Sequence, residues 1–423
     1  MSTLRLSTSI AMCFFLVASV CADDWPQWRG PQRTGCSEEK GLLKQWPKSG
    51  PKLLWERKHI GGGYSTPAVV GDRLYLQADR DGKEYILCLA VKDGTEEWAT
   101  SLGKVGPNEG PQYPGTRSTP TVEGGRIYAL GSDGDLVCLE KDGGNPVWAK
   151  NLKKAFKGTP GAWAYSESVL LDGDQLVCTP GGNSATMVAL KKQDGEMVWK
   201  CSLPKGDAAG YASPIAVEVG GIRQYVQFVA GGVIGVDAKT GKFLWRYAKT
   251  IDPAANIPTP VFHDGCVFTS TSRNGTGLNR IKVNGDEVSS EEVYFNRTKL
   301  NSIGGVVRVG NYVYGTDALG NLVCMVFKTG EIKWQHACVG TSSLCYADGM
   351  LYVRGQGGTG FGPESPARMA LVEATPEGYK EKGRFEQPDH ADRPAWPHPV
   401  VAGGRLYLRD GSVLLCYDVK DGK

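Results

Sequence analysis

Six side chains suited to ligand binding or catalysis stand at the start of recurring segments of this chain. They are Tyr64, Arg117, Glu167, Tyr211, Trp396 and His398. An arginine can clamp a carboxylate through two parallel hydrogen bonds, and a glutamate can coordinate a metal ion or act as a general base. With the neighbouring aromatic rings, the set is suited to bind a sugar, a peptide or a quinone. The competing interpretation is that Arg117 and Glu167 pair with each other between neighbouring repeats.

Other patterns that carry chemistry are weak. The five His are scattered and no Cys-x-x-Cys is present, so no zinc pattern appears. The Gly-rich stretch from Gly355 to Pro366 lacks the Lys-Ser/Thr of a phosphate-binding loop. The stretch "PDHADRPAWPHP" (Pro388 to Pro399) holds His390 and His398. It is either a lid that carries these imidazoles to a ligand or a surface loop stiffened by proline.

The elements that position these side chains follow from a repeat of roughly fifty residues. The phrase Gly-x-x-x-Trp closes successive copies, and the phrase "STPAVVGDRLY" (Ser65 to Tyr75) opens them in variant forms. Between the two phrases lie short β-branched and aromatic runs separated by Gly-Asp, Asp-Gly and Thr-Gly turns. Four antiparallel strands repeated at this period predict the blades of a β-propeller, an all-β fold. The large area and the N–H group of the recurring Trp predict that it packs between neighbouring blades.

The number of blades follows from the aromatic residues that end the copies. They are Trp55, Trp98, Trp148, Trp199, Trp245, Tyr294, Trp334 and Phe385. Trp55 ends "PKLLW", which has no repeat before it, whereas "LLCYDVKDGK" at the C-terminus lacks the strand that should follow. We therefore predict eight blades, with the N-terminal strand completing the last one. The predicted organisation is a signal peptide at 1–22, a head segment at 23–50 and the propeller at 51–423.

Charge and leader sequence bound the partners and the location. Lys and Arg number 48 and Asp and Glu 45, for a net charge of +3, which is too balanced for a nucleic-acid-binding surface. Arg5, an apolar run and the small residues before Asp23 form a signal-peptide pattern. The apolar run is too short to span a bilayer. We expect a monomer exported to the periplasm or beyond, with lipid anchoring at Cys21 the less favoured alternative.

Cysteine usage leaves the redox state open. Twelve Cys are present, and four of them occupy the same place in the repeat: Cys88, Cys138, Cys324 and Cys416. Equivalent positions of successive repeats are not adjacent, so these four are predicted to be buried as small apolar residues. Export permits disulfides, and Cys338 and Cys345 are the pair for which bonding stays open.

The repeat "VDAKTGKFLW" (Val236 to Trp245) resembles the tryptophan-docking repeat of the pyrroloquinoline-quinone (PQQ)-like β-propellers. The resemblance extends from "DWPQWRGPQRTG" (Asp24 to Gly35) to Lys423. In one branch of that family, quinoprotein alcohol dehydrogenases carry the quinone on the propeller axis with calcium, under a ring of two adjacent Cys. In the other branch the repeat carries no cofactor, as in the lipoprotein that assists outer-membrane β-barrel assembly and in sensor or scaffold domains.

Two functions follow from this resemblance. The absence of adjacent Cys and of a Cys-x-x-Cys-His haem motif favours a non-catalytic propeller without cofactor that binds a protein or glycan partner at its channel rim. The alternative is a PQQ-dependent alcohol or polyvinyl-alcohol dehydrogenase, in which Glu167 is among the calcium ligands.

Overall fold

The propeller is built from sheets that follow one another along the chain, in a computed structural model that describes residues 24–107, 113–298, 300, 303–356, 366–388 and 393–422. Blade 1 comprises β3 (Ala68–Val70), β4 (Arg73–Arg80), β5 (Lys83–Ala90) and β6 (Glu96–Lys104). Blade 2 comprises β7 (Thr121–Glu123), β8 (Arg126–Leu130), β9 (Asp135–Glu140) and β10 (Pro146–Asn151). Blade 3 comprises β11 (Leu170–Asp172), β12 (Gln175–Cys178), β13 (Met187–Lys191) and β14 (Met197–Cys201). Blade 4 comprises β15 (Ile215–Val219), β16 (Ile222–Val229), β17 (Gly232–Asp237) and β18 (Phe243–Tyr247).

The second half of the chain continues the pattern. Blade 5 comprises β19 (Val261–His263), β20 (Cys266–Thr271), β21 (Gly275–Asn284) and β22 (Glu287–Asn296). Blade 6 comprises β23 (Val306–Val309), β24 (Tyr312–Thr316), β25 (Asn321–Val326) and β26 (Ile332–Ala337). Blade 7 comprises β27 (Ser342–Ala347), β28 (Met350–Gly355), β29 (Arg368–Glu373) and β30 (Glu381–Glu386). Blade 8 comprises β31 (Val400–Ala402), β32 (Arg405–Asp410), β33 (Val413–Asp418) and β2 (Lys52–Arg57).

The sheet order confirms the predicted architecture. The described strands form eight sheets, and within each blade consecutive strands pair in antiparallel fashion. Strand β2 completes blade 8 by pairing with β33, with Trp55 opposite Cys416 and Leu53 opposite Tyr417. The strand absent from the C-terminal repeat is therefore supplied by the N-terminal segment, as the sequence predicts.

The Trp residues connect neighbouring blades. The indole of Trp55 donates to the carbonyl of Val91 in blade 1 at 2.9 Å and covers Gly94, where a Cβ would lie 2.9 Å from the ring. The indole of Trp148 makes the equivalent hydrogen bond, to the carbonyl of Lys192 in blade 3, at 2.9 Å. Trp245 differs, because its indole donates to Gln224 of its own blade at 2.6 Å. The indole N–H of Trp98 has no partner among the described residues. The prediction that these rings pack between blades holds, although Trp98 and Trp245 lack the hydrogen bond to the next blade.

The predicted burial of the repeated cysteines is confirmed. Cys88, Cys138, Cys324 and Cys416 are at most 1% exposed. Cys338 and Cys345 are both free, as are the other cysteines of the described residues, so the bond that the sequence left open between this pair is not formed.

The head segment crosses one end of the axial channel. Its Trp25 bridges to Val69 of blade 1, and its short strand β1 (Cys36–Ser37) runs parallel to β27 of blade 7. Further on, Leu42 bridges to Lys420 behind blade 8. The contacts with Val69 and with β27 lie near the ends of inner strands that face away from the rim loops. The head therefore closes that end of the channel.

Helical structure is minor. The single helix among the described residues, α1 (Leu152–Phe156), lies between blades 2 and 3 and begins after Asn151, whose side chain accepts from the Lys154 N–H at 3.1 Å. Within the described ranges, none of the chain forms a helix of the length and apolar character needed to cross a membrane.

Candidate binding site on the propeller axis

A curved row of hydroxyl groups, which we call the hydroxyl ring, links the starts of the inner strands of blades 1 to 4. Thr66 and Thr119 share a hydrogen bond between their hydroxyls at 2.6 Å. The Ser168 hydroxyl accepts from the backbone N–H of Thr119 at 2.8 Å, and the Ser213 hydroxyl accepts from that of Ser168 at 2.9 Å. Each contact joins one blade to the next. The ring holds the residues just before it at fixed positions around the axis.

Above this ring lies a cavity of about 420 Å³. Eight residues, one for each blade, stand at the equivalent position two residues before the hydroxyl-ring position, and seven of them line this cavity. The seven are Tyr64, Arg117, Ser166, Tyr211, Ile257, Ile303 and Trp396. The eighth, Thr341 of blade 7, is not among the lining residues. Alignment of the repeats thus located one cavity wall, because equivalent positions of a propeller face a common axis.

Aromatic rings form much of the wall. Tyr64 and Trp396 are stacked with their ring centroids 5.0 Å apart. The ring of Tyr113 also packs against Trp396, with 4.7 Å between the centroids. Across the cavity, Trp163 and Tyr211 meet edge to face at 5.8 Å. Such packing fixes each ring against a neighbour, so the wall is shaped before any ligand arrives.

Arg117 supplies a positive charge to the wall. Its guanidinium lies 5.4 Å from the centroid of the Tyr64 ring and donates to the carbonyls of Gly115 at 2.9 Å and Trp163 at 3.2 Å, and also to Tyr113. Burial lowers the pKa of Arg117, which shows that the protein environment disfavours its charge. The backbone carbonyls orient the group without neutralising it.

The floor of the cavity comes from the head segment. Trp28 donates its indole N–H to the Thr259 hydroxyl at 2.9 Å. Arg29, beside it, is 4% exposed and donates to the carbonyls of Thr34 at 2.7 Å and Val306 at 2.5 Å. Burial lowers the pKa of Arg29 to about 10. The guanidinium therefore stays protonated at neutral pH, although its surroundings disfavour the charge.

Acidic groups do not offset these two cations inside the cavity. Asp252 is the single carboxylate among the lining residues, and Arg273 lies 3.6 Å from it. One oxygen of Asp252 also accepts from the Ala254 N–H at 2.9 Å. Arg29 and Arg117 form no ion pair with a described acidic residue, so the cavity carries a net positive charge.

His398 occupies in blade 8 the place that Thr66, Thr119, Ser168 and Ser213 hold in blades 1 to 4. It packs edge to face against Trp28, with ring centroids 4.7 Å apart, and it lines the floor. Burial and the nearby charge of Arg29 lower the pKa of His398 to about 3, while hydrogen bonds with the backbone of Ile303 and Leu344 oppose that shift. The imidazole is therefore neutral and supports the floor. The other histidine of this stretch, His390, lies outside the described residues.

Glu167 lies away from the cavity. It is buried beneath the hydroxyl ring, where one oxygen accepts from the Thr179 N–H at 2.6 Å and the other from the Gln227 amide at 2.8 Å. Burial raises the pKa of Glu167 to about 7. Arg117 and Glu167 do not contact each other, so the interpretation that they form an ion pair is wrong. Arg117 is held by backbone carbonyls of the rim loops, and Glu167 is held by Thr179 and Gln227.

Several cavity residues escaped the sequence alignment. Trp28 and Arg29 belong to the head, which has no counterpart in the repeat, and Tyr113 and Trp163 lie in loops whose lengths differ between blades. The signal available in the sequence was the density of Trp and Arg in "DWPQWRGPQR", a segment outside the propeller repeats. Because this segment is not part of the repeat, the repeat period does not predict where it lies relative to the blades.

Within the described part of the chain, no group of three or more His, Cys, Asp or Glu side chains is arranged to hold a metal ion.

Comparison with known proteins agrees with the fold. The family model described as "Outer membrane protein assembly factor BamB" matches residues 82–336. The outer membrane protein assembly factor BamB of Shewanella oneidensis is 25% identical over 255 residues, which are 56% of this chain and 60% of that protein. The match therefore spans less than two thirds of that relative.

Solved structures show the same architecture at low identity. BamB from Moraxella catarrhalis superposes with a TM-score of 0.59 at 15% identity, covering 87% of this chain and 99% of that one. A quinohemoprotein alcohol dehydrogenase from Comamonas testosteroni superposes with a TM-score of 0.64 at 12% identity, covering 96% of this chain and 82% of that one. At these identities the likeness concerns the fold alone.

Proposed function

We propose, from the premise that this chain belongs to the BamB family of PQQ-like repeat β-propellers, that it is a non-catalytic binding module which holds a protein partner at the rim of its axial cavity. The family match supports a protein partner, because the matched relatives are named for assembly of outer membrane proteins. The leader at 1–22 supports export to the cell envelope.

The observation that carries the proposal is the convergence of side chains from seven blades on one preformed cavity. Aromatic residues and arginine are the side chains that most often dominate binding at protein interfaces, because they bury large areas with few rotatable bonds or form several directed hydrogen bonds. Here both kinds surround a single opening, and the head closes the opposite end. A partner can therefore enter from one side only.

The candidate in second place is a quinone-dependent dehydrogenase with calcium on the axis. The cavity residues do not fit the calcium part of such a cofactor site. Calcium takes six or more oxygen ligands, usually with several carboxylates or amides, whereas Asp252 is the one carboxylate of the lining and no Asn or Gln side chain belongs to it. Glu167, the ligand that the alternative requires, has both oxygens engaged beneath the hydroxyl ring. We therefore propose no cofactor.

Photo-crosslinking tests the binding function. A benzophenone amino acid is placed at Ala254, an exposed lining residue of the cavity, in the full-length chain produced in its native cells. We expect a discrete protein adduct after irradiation. The matched control carries the same group at Lys239, in an exposed turn at the opposite end of blade 4. Equal adducts at both positions, or none at Ala254, contradict a rim-directed protein partner.

A cofactor titration separates the two candidate functions. Purified protein receives PQQ and calcium, and thermal stability and dye-linked alcohol oxidation are recorded. We expect no oxidation and no calcium-dependent thermal shift. Alcohol oxidation that requires both additions would replace the binding proposal with the dehydrogenase.

A further inference from the structure

Arg29 is a buried cation whose charge the protein leaves open to the cavity. Its Nε donates to the backbone carbonyl of Arg33 at 3.4 Å, and its Nη2 donates to the backbone carbonyls of Thr34 and Val306. Its Nη1 donates to none of the described residues, and Gly305, which has no side chain, lies beside it. A buried charge without a partner is costly, and a bound anion with hydrogen-bonding oxygens removes much of that cost. The open Nη1 group therefore faces the cavity as an anion-binding donor.

The glycine at position 305 explains why this donor is accessible. In blades 1 to 4 the equivalent position holds Thr66, Thr119, Ser168 or Ser213, whose hydroxyls fill the ring. In blade 6 a Cβ at Gly305 would come within 3.5 Å of Nη1 of Arg29, and a longer side chain would extend over it. The gap in the hydroxyl ring thus opens a path from the cavity to the guanidinium.

The walls favour an apolar ring as the body of the ligand. Aromatic and aliphatic residues, among them Trp163, Ile257 and Ile303, surround the space above Arg29. The Ser168, Ser213 and Thr259 hydroxyls already accept hydrogen bonds from within the protein, which leaves the Ser166 hydroxyl as the buried lining hydroxyl without a partner among the described residues. A sugar acid needs a polar partner for each of its hydroxyls, and this wall offers few. A flat or alicyclic ring needs only the apolar surface.

We propose that the axial cavity binds a small organic carboxylate carried on an apolar ring, with the carboxylate on Arg29 and the ring between the aromatic walls. Arg117 adds a second positive charge to the same space and raises the attraction for an anion. The carboxylate can come from a free small acid or from a protein partner. The inference therefore extends the proposed rim function but does not depend on a protein being the source.

Calorimetric titration of the purified full-length protein at neutral pH tests the chemistry of the site. The probes are 3-phenylpropionate, its uncharged analogue 3-phenylpropionamide, and glucuronate, which presents a carboxylate on a polyol ring. We expect 3-phenylpropionate to bind at least about tenfold more tightly than either of the others, the difference that a charged hydrogen-bonded pair commonly makes. Equal binding of the amide overturns the role of the charge. Tighter binding of glucuronate overturns the apolar ring.

Variants locate the site. Arg29→Met should reduce binding of 3-phenylpropionate to the level of the amide, whereas Arg126→Gln, which removes a partly exposed arginine paired with Glu140 at 3.3 Å away from the cavity, should leave it unchanged. Because Arg29 also fastens the head, a second variant, Ile257→Trp, fills the cavity from a wall position and should abolish binding. Undiminished binding by Ile257→Trp overturns the site.

Competition distinguishes the two sources of the carboxylate. If 3-phenylpropionate suppresses the adduct formed from Ala254, the partner itself supplies the group; if the adduct persists while the acid binds, the ligand is a free small molecule. Both results support the carboxylate site. Absence of an adduct together with tight binding of the acid removes the protein partner and keeps this site. A normal adduct without binding of the acid keeps the protein partner and removes the carboxylate site.

Discussion

Trp55 and Cys416 lie opposite each other in the strand pair that closes the ring, although they come from opposite ends of the described chain. The same Trp55 reaches forward into blade 1, where its indole bonds to Val91 and its ring covers Gly94. One residue therefore takes part in two junctions, between β2 and β33 and between blades 8 and 1. Closure of the ring packs blades 8 and 1 against each other and so covers the two sheet faces that an open array would leave exposed.

Trp55→Ala should lower the free energy of unfolding by about 3–5 kcal/mol, because it removes a buried aromatic ring and a hydrogen bond at the closing blade. Chemical denaturation followed by fluorescence measures the change. Leu53→Ala is the control, since Leu53 lies on the same strand and is 38% exposed. Its expected effect is within about 0.5–1 kcal/mol. Similar losses in both variants would show that Trp55 has no special part in closure.

Gly94→Ala should destabilise the protein more than Gly82→Ala. Both glycines have a left-handed backbone, with φ of 70° and 75°, so an alanine is strained at either position. A Cβ at Gly94 would also lie 2.5 Å from Arg57 and 2.9 Å from the Trp55 ring, whereas Gly82 has nothing within 4 Å. The difference between the two variants isolates this contact, at about 1–3 kcal/mol. It is measured by denaturant midpoints; equal midpoints would contradict tight docking of Trp55 on blade 1.

Glu84→Gln should flatten the pH dependence of stability. Burial raises the pKa of Glu84 from its usual 4.5 to about 8, opposed by hydrogen bonds from Ser132 and reinforced by the charges of Asp79 and Asp135. Between these two pKa values the folded state binds more protons than the unfolded chain. The free energy of unfolding therefore declines as the pH rises from about 4.5 to 8.

The decline from this one group is at most about 5 kcal/mol, and the total decline should be smaller in the glutamine variant. Thermal unfolding at a series of pH values measures it. Some slope persists because Glu167, with a pKa of about 7, titrates in the same range. An unchanged slope in Glu84→Gln would show that this carboxyl is not the source.

Glu167→Gln should weaken the fold without affecting the axial cavity. Both oxygens of Glu167 accept hydrogen bonds, from the Thr179 N–H and from the Gln227 amide. An amide at position 167 places a donor against one of these donors, at a cost of about 1–3 kcal/mol. Denaturation measures the loss, and titration with 3-phenylpropionate measures the cavity. A large change in ligand affinity with unaltered stability would return Glu167 to the binding site.

The sequence by itself determined the repeat, and with it the blade count, the closure by "PKLLW" and the ring of rim positions that holds Tyr64, Arg117, Tyr211 and Trp396. This was possible because strand period, turn glycines and the docking Trp are local features that recur at a fixed spacing. A closed ring then places equivalent positions around one axis. No long-range contact had to be known in advance.

Tertiary structure alone decided which of these positions share a cavity and what lies beneath them. Glu167 follows Ser166 directly, yet it points into the protein while Ser166 lines the cavity, because neighbouring residues in an extended chain face opposite sides. Arg29 belongs to no repeat, and only the path of the head across the channel brings it to Gly305. The charge of the cavity depends on that path, and a non-local contact of one irregular segment leaves no periodic signal in the sequence.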